Sequence, residues 1–222
     1  YPKKTRESDL DYQLMRARVV NQLSDTPEQA LAKFRGELGG TSHSPEAATY
    51  GLVLALTAAG RADEASLELD SIWSSSPDRL EYIIADAEID MVRNKPDQAA
   101  KKLARRLQVS PGNNPLTMVY ATALMKNQQP HIAEEVLLAQ TKRRHNDPGL
   151  WYLLAEVQGL SGNIVGLHQS RAEYFILNGA LDEAKKQLTY ALKLTRGDFP
   201  TSAKISQRLE DVAKMQEQME EL

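Results

Sequence analysis

The chain has 222 residues, 41% hydrophobic and 26% charged, with no cysteine and a formal net charge of −3. Those values are wrong for a disordered chain, exclude disulfides and thiolate chemistry, and lack the basic excess of a nucleic-acid binder. No apolar run approaches the roughly 18 residues of a membrane span, and only three Phe and two Trp are present, a balance that favours helices packed through small residues over a β-sandwich.

Apolar residues recur at i, i+3, i+4 and i+7, as at Leu116, Val119, Tyr120 and Ala123, and strand alternation is nowhere convincing. The pattern predicts helices over 9–24, 27–38, 46–59, 62–75, 79–93, 96–109, 114–127, 130–144, 149–161, 164–178, 181–195 and 201–220. Thr26 followed by Pro27 is a strong helix start. The turn-rich GGTSHSPEA, residues 39–47, is the one expected flexible joint. The first residue is Tyr1 rather than Met, as in a fragment or processed product.

GRADEASLELD at 60–70 echoes NGALDEAKKQL at 178–188. In each, a Gly closes one helix, an Asp (Asp63, Asp182) stands where its carboxylate can meet free N–H groups of the next helix, and an Ala sits where two helices cross closely. That Ala falls at 30, 65, 99, 133 and 184. The first three steps match the 34-residue period of the tetratricopeptide repeat; the last is one and a half periods, which predicts one extra helix between Ala133 and Ala184. Pro77 and Pro111 are also 34 apart, whereas Pro148 comes three residues late and predicts a longer helix before it. The expected fold is therefore an all-α tetratricopeptide-repeat solenoid, a right-handed superhelix of antiparallel helix pairs with one extra half-repeat. It forms a single domain over 1–222: a leading pair to 44, three regular repeats over 45–148, interrupted repeats over 149–196, and a final helix over 197–222.

In such an array the second, fifth, ninth, twelfth and thirteenth positions of a unit tend to face the concave groove. Counting back from the alanines places Tyr50 and Leu54 there, then Ile84, Glu88 and Met91, then Met118, Thr122 and Met125, then Tyr152, Glu156, Gln169, Glu173 and Ile176. Methionine adapts to several partners, although the same residues could equally fill core gaps. A carboxylate clamp of Lys, Asn and Arg is excluded, because its places read Tyr50, Leu54, Ala85, Pro115 and Val119.

No catalytic constellation is present. His43, His131, His145 and His168 form no close ligand pair, and His131 beside Glu134 and Glu135 reads as a solvated face rather than a zinc site. There is no phosphate loop and no nucleophile elbow. The clusters Lys101-Lys102-Arg105-Arg106 and Lys142-Arg143-Arg144 read as solvated helix ends that complement the dipole, with an anionic partner as the alternative. Ile205, Leu209, Val212, Met215, Met219 and Leu222 make a seam at spacing 3 to 4. It reads as a helix capping the last repeat, the alternative being a partner or self-association helix.

LWYLLAEVQGLSGN at 150–163 and GLHQSRAEYFILNGALDEAKKQLTYALKL at 166–194, with YQLMRARVV at 12–20, resemble the C-terminal repeat region of a bacterial periplasmic zinc metalloprotease family of the M48 class. The resemblance implies a Gram-negative periplasmic protein with chaperone-like activity. The chain would be its non-catalytic protein–protein interaction module, recruiting outer-membrane β-barrel substrates and the β-barrel assembly machinery and packing on its own protease domain. Zinc is expected only in that domain, before Tyr1, and no cofactor, nucleic acid or membrane span is expected here. The other reading is a free-standing repeat adaptor of another cell-envelope or pilus assembly pathway.

Overall fold

The computed structural model describes residues 6–40 and 44–220. Residues 41–43 of the expected joint, His43 among them, and Leu222 of the last apolar seam lie outside them. Among the described residues there are twelve helices and no strand: α1 (Arg6–Leu23), α2 (Pro27–Leu38), α3 (Pro45–Ala58), α4 (Ala62–Trp73), α5 (Leu80–Val92), α6 (Pro96–Val109), α7 (Asn114–Lys126), α8 (Pro130–Thr141), α9 (Pro148–Ser161), α10 (Ile164–Leu177), α11 (Leu181–Leu194) and α12 (Phe199–Glu220). They form two compact units, Tyr1–Gln108 and Val109–Leu222.

One backbone device recurs at the hairpin corners. Gly60, Asn94, Gln128 and Gly162, each 34 residues after the last, have positive φ, and Gly179 follows 17 residues later. Just after each, an N–H closes onto the carbonyl five residues back: Arg61 to Leu56, Lys95 to Asp90, Gln129 to Leu124, Asn163 to Gln158 and Ala180 to Phe175, all at 2.8–2.9 Å. This closure satisfies carbonyls the helix end would leave bare and reverses the chain in two residues. Ala65, Ala99, Ala133 and Ala184, on helices that follow these corners, and Ala30 on α2 have no exposed surface.

The corners refine the alanine count. Their period continues through Gly162, so α9 and α10 form a hairpin in register. The alanine series skips it because Leu167 occupies that place, and Gly159 on α9 gives way: a methyl there would lie 3.0 Å from Leu167 Cδ1. Two other expectations are corrected. The helix before Pro148 does not run longer; α8 ends at Thr141, and the extra residues form a turn in which Arg143 and Arg144 N–H both reach the Gln140 carbonyl. Asp63 and Asp182 cap nothing: α4 and α11 have no side-chain cap, Asp63 pairs with Arg93 at 2.9 Å, and Asp182 accepts from Gln216. At other starts Thr26, Asn113, Asp147 and Asn163 do accept the expected backbone N–H.

In the first unit α1 packs on α3, and α3 on α2, α4 and α5. Leu14, Ala17, Phe34, Val53 and Leu69 fill the core. Phe34 seats on Gly51, where an added methyl would come within 2.2 Å of the ring. Tyr82 lies between Tyr50, at 5.9 Å, and Trp73, at 6.5 Å, and its hydroxyl donates to Glu46 at 2.5 Å. Arg18 of α1 reaches over α3, donating to the Tyr50 hydroxyl at 2.8 Å and to both Glu88 oxygens of α5 at 2.8 and 3.2 Å. Burial opposes the Arg18 charge, but Tyr50 and Glu88 outweigh it and raise its pKa above the ordinary arginine value. Burial, with Glu88 nearby and only partly offset by Arg18, pushes the Tyr50 phenol up to about 12.

In the second unit α7 packs on α8, α8 on α9, α9 on α10, α10 on α11 and α11 on α12. Ile205 and Val212 of α12 are fully buried against Ala184, Leu188 and Ala191 of α11, with Leu209 and Met215 beside them, while Met219 stays 61% exposed. Most of the α12 seam is therefore a cap. Arg208 ties it to Glu173 of α10 at 2.6 and 2.7 Å. Glu134 is a buried carboxylate, not part of a solvated face, while Glu135 is exposed. Gln158, Asn163 and Ser161 donate to Glu134 at 3.2, 2.5 and 2.7 Å, and Ser170 extends the network to Gln158. This network holds α8 to the α9–α10 corner. Trp151 Nε1 donates to the His145 carbonyl at 2.7 Å.

Two glycine-to-alanine changes should have opposite signs in urea unfolding. Gly36→Ala, inside α2 with nothing within 4 Å of the new methyl, should stabilise by up to about 1 kcal/mol; Gly51→Ala should cost about 1–3 kcal/mol as Phe34 is displaced. Alkali supplies a further expectation. A phenol held protonated to about 12 when folded but only to about 10 when unfolded contributes stability that is complete below pH ~10 and is lost as the pH climbs through the folded value. Stability measured across that window should fall less steeply in Tyr50→Phe than in the parent.

Candidate protein-interaction face

The residues counted to the groove fall into three situations. Tyr50, Leu54 and Ile84 are buried, at 0%, 7% and 6% exposure, rather than open: α1 packs on α3, and the Tyr50 hydroxyl is engaged by Arg18. Glu88 is committed to the same Arg18, and Met91 is half-buried. Met118, Thr122 and Met125 on α7 are half-buried; Thr122 donates back to the Met118 carbonyl at 3.0 Å, and the Met118 sulfur lies 3.7 Å from Asn114 Nδ2. On α10, Gln169 is half-buried and Glu173 is held by Arg208.

Only Tyr152 and Glu156 share an open site. Asp147 caps α9 through the Leu150 N–H, which sets its register and brings Tyr152, Ala155 and Glu156 to one side. On α10, Arg171, Tyr174 and Phe175 are three and four residues apart and meet that side; Gln187 of α11 closes it. Together they line a cleft of about 260 Å³. Tyr152, 53% exposed, tilts against Tyr174 with centroids 5.5 Å apart, and Phe175 meets Tyr174 edge-on at 5.5 Å. Phe175 also packs on the α10–α12 core, so the floor is rigid and the Tyr152 wall is open. His168 Nδ1 lies 2.8 Å from Gln187 Oε1, which leaves the Gln187 amide N–H groups for the cleft.

Arg16, Arg18, Arg79, Lys102 and Arg208 each have a carboxylate partner, and in the α6 cluster Lys101 meets Asp97 and Arg106 donates to the Asp78 carbonyl. Glu156 and Arg171, though they line one cleft, make no ion pair or side-chain hydrogen bond among the described residues. Of the counted residues, Tyr152 and Glu156 line this cleft; Arg171, Tyr174, Phe175 and Gln187, which line it too, were not among those counted. The available signal was the corner at Gly162, which puts α10 directly against α9. Among the described residues no three His, Cys, Asp or Glu stand close enough to hold a metal ion, and no helix is long and apolar enough to cross a membrane.

A tetratricopeptide-repeat family model matches residues 93–157. The β-barrel assembly-enhancing proteases of Escherichia coli K12 and Shigella flexneri are each 27% identical over 214 residues, 95% of this chain and 43% of theirs. That of Yersinia pestis is 25% identical over 211 residues. The chain thus spans less than half the length of these curated relatives. Among solved structures, a thermophilic tetratricopeptide-repeat protein of Thermus thermophilus aligns with a TM-score of 0.54 at 18% identity, over 90% of this chain and 98% of that one. A tetratricopeptide repeat protein of Parabacteroides merdae aligns at 0.52 and 10% identity, over 96% of this chain and 87% of that one. With its corners 34 residues apart and its helices paired across them, the chain is a tetratricopeptide-repeat solenoid, similar over 95% of its length to a stretch that makes up 43% of the β-barrel assembly-enhancing protease of Escherichia coli K12.

Proposed function

We propose that the chain is the partner-recruiting module of a periplasmic zinc metalloprotease with chaperone activity, presenting outer-membrane β-barrel proteins and components of the β-barrel assembly machinery to a protease domain that supplies the zinc and the catalytic groups. The observation that carries the reading is the open cleft on α9, α10 and α11. There the exposed Tyr152 ring, the half-buried Tyr174 and Phe175 rings and two unpaired charges meet in one concavity, within a chain related to proteins named for β-barrel assembly. Stacked helical repeats present extended concave surfaces to their partners, and a concave site with a few convergent polar groups is the default binding-site reading.

Photo-crosslinking in the full-length protein tests this. A crosslinker at Tyr152 or Glu156 should capture outer-membrane barrels or the assembly machinery, whereas one at Leu138, exposed on α8, should not. Equal capture from Leu138 and Tyr152 would remove the cleft from the reading.

A further inference from the structure

Resting on that reading, we infer that the α9–α11 cleft is a seat for one aromatic side chain of an extended peptide segment, with Glu156, Arg171 and Gln187 holding the main chain on either side of it. Three observations lead there.

Size comes first. At about 260 Å³ the cleft is smaller than the roughly 300–1,000 Å³ of small-molecule sites and suits a single large side chain. Ring geometry is second. Tyr152, Tyr174 and Phe175 already form a tilted and edge-on chain at 5.5 Å spacing, and a further ring set against the open side of Tyr152 continues it, gaining edge-to-face attraction that an aliphatic side chain does not.

The third is the rim. It carries a lone acceptor, Glu156, a lone multiple donor, Arg171, and a free amide N–H2 on Gln187. A cationic ligand would leave Arg171 unserved, and an anionic one Glu156. An extended backbone offers N–H and C=O groups alternately, with side chains on opposite faces. It can donate to Glu156 and accept from Arg171 and Gln187 while one side chain points into the cleft. A helical ligand cannot, because its N–H and C=O groups are already paired.

The test uses fluorescence anisotropy of short, end-blocked, β-forming peptides that differ only at one central position, with the full-length protein. Phe or Trp at the centre should bind about tenfold more tightly than Leu and more tightly still than Ala. Tyr152→Ala, at an exposed position that leaves the fold intact, should erase the Phe-over-Leu preference. Arg171→Gln with Glu156→Gln should weaken all peptides alike and leave the preference in place. Leu binding as well as Phe, or a preference that survives Tyr152→Ala with an unchanged melting temperature, would overturn the inference. If Tyr152 crosslinks barrel clients in cells while the peptides show no aromatic preference, this inference fails and the recruiting role stands; aromatic-selective peptides with no cellular crosslinks from the cleft mean the reverse.

Discussion

The left-handed corner is the constraint on which the architecture depends. A helix end leaves carbonyls without partners, and a hairpin must satisfy them while turning the chain within two residues. The bond from one N–H to the carbonyl five residues back, repeated at all five positive-φ corners of the hairpins at 2.8–2.9 Å, does both. It also fixes where the next helix begins, and so which residue meets its neighbour at closest approach; that residue is a fully buried alanine at Ala65, Ala99, Ala133 and Ala184. Where the alanine is lost, at Leu167, the partner helix supplies Gly159 instead.

The two units use the same device and differ in what they leave open. In the first, Arg18, Tyr50 and Glu88 satisfy one another across α1, α3 and α5, so polar groups that could have met a partner are consumed internally. In the second, α12 packs on α11 and takes Glu173 through Arg208, while Glu156 and Arg171 in the cleft make no ion pair or side-chain hydrogen bond among the described residues.

The fold was legible because its punctuation is local. Gly60, Gly162 and Gly179 and the prolines at helix starts announce the corners without tertiary context, and every helix was placed to within a few residues. What was not legible depended on neighbours. The late Pro148 suggested a longer helix, but Gln140 ends α8 by taking two N–H groups in a turn. Glu134 looked solvated beside His131, yet three side chains from the next hairpin desolvate and satisfy it. Counting repeat positions named Tyr152 and Glu156, which line the open cleft, and also Tyr50, Leu54 and Ile84, which are buried, because position in a repeat says which way a side chain starts out and not what lies over it. Arg171, Tyr174 and Phe175 were missed because the count tracked fixed repeat positions, whereas their side of α10 becomes a cleft wall by folding back on α9 across the Gly162 corner.

The chain's two tryptophans fall one to each unit: Trp73 leans on Tyr82, and Trp151 donates its indole N–H to the His145 carbonyl. Each unit therefore carries its own intrinsic fluorophore in a distinct surrounding, one next to a phenol ring and the other on a carbonyl. With one indole replaced by phenylalanine, emission from the remaining one follows the melting of its own half alone, so cooperativity between the halves can be read optically without attaching a dye.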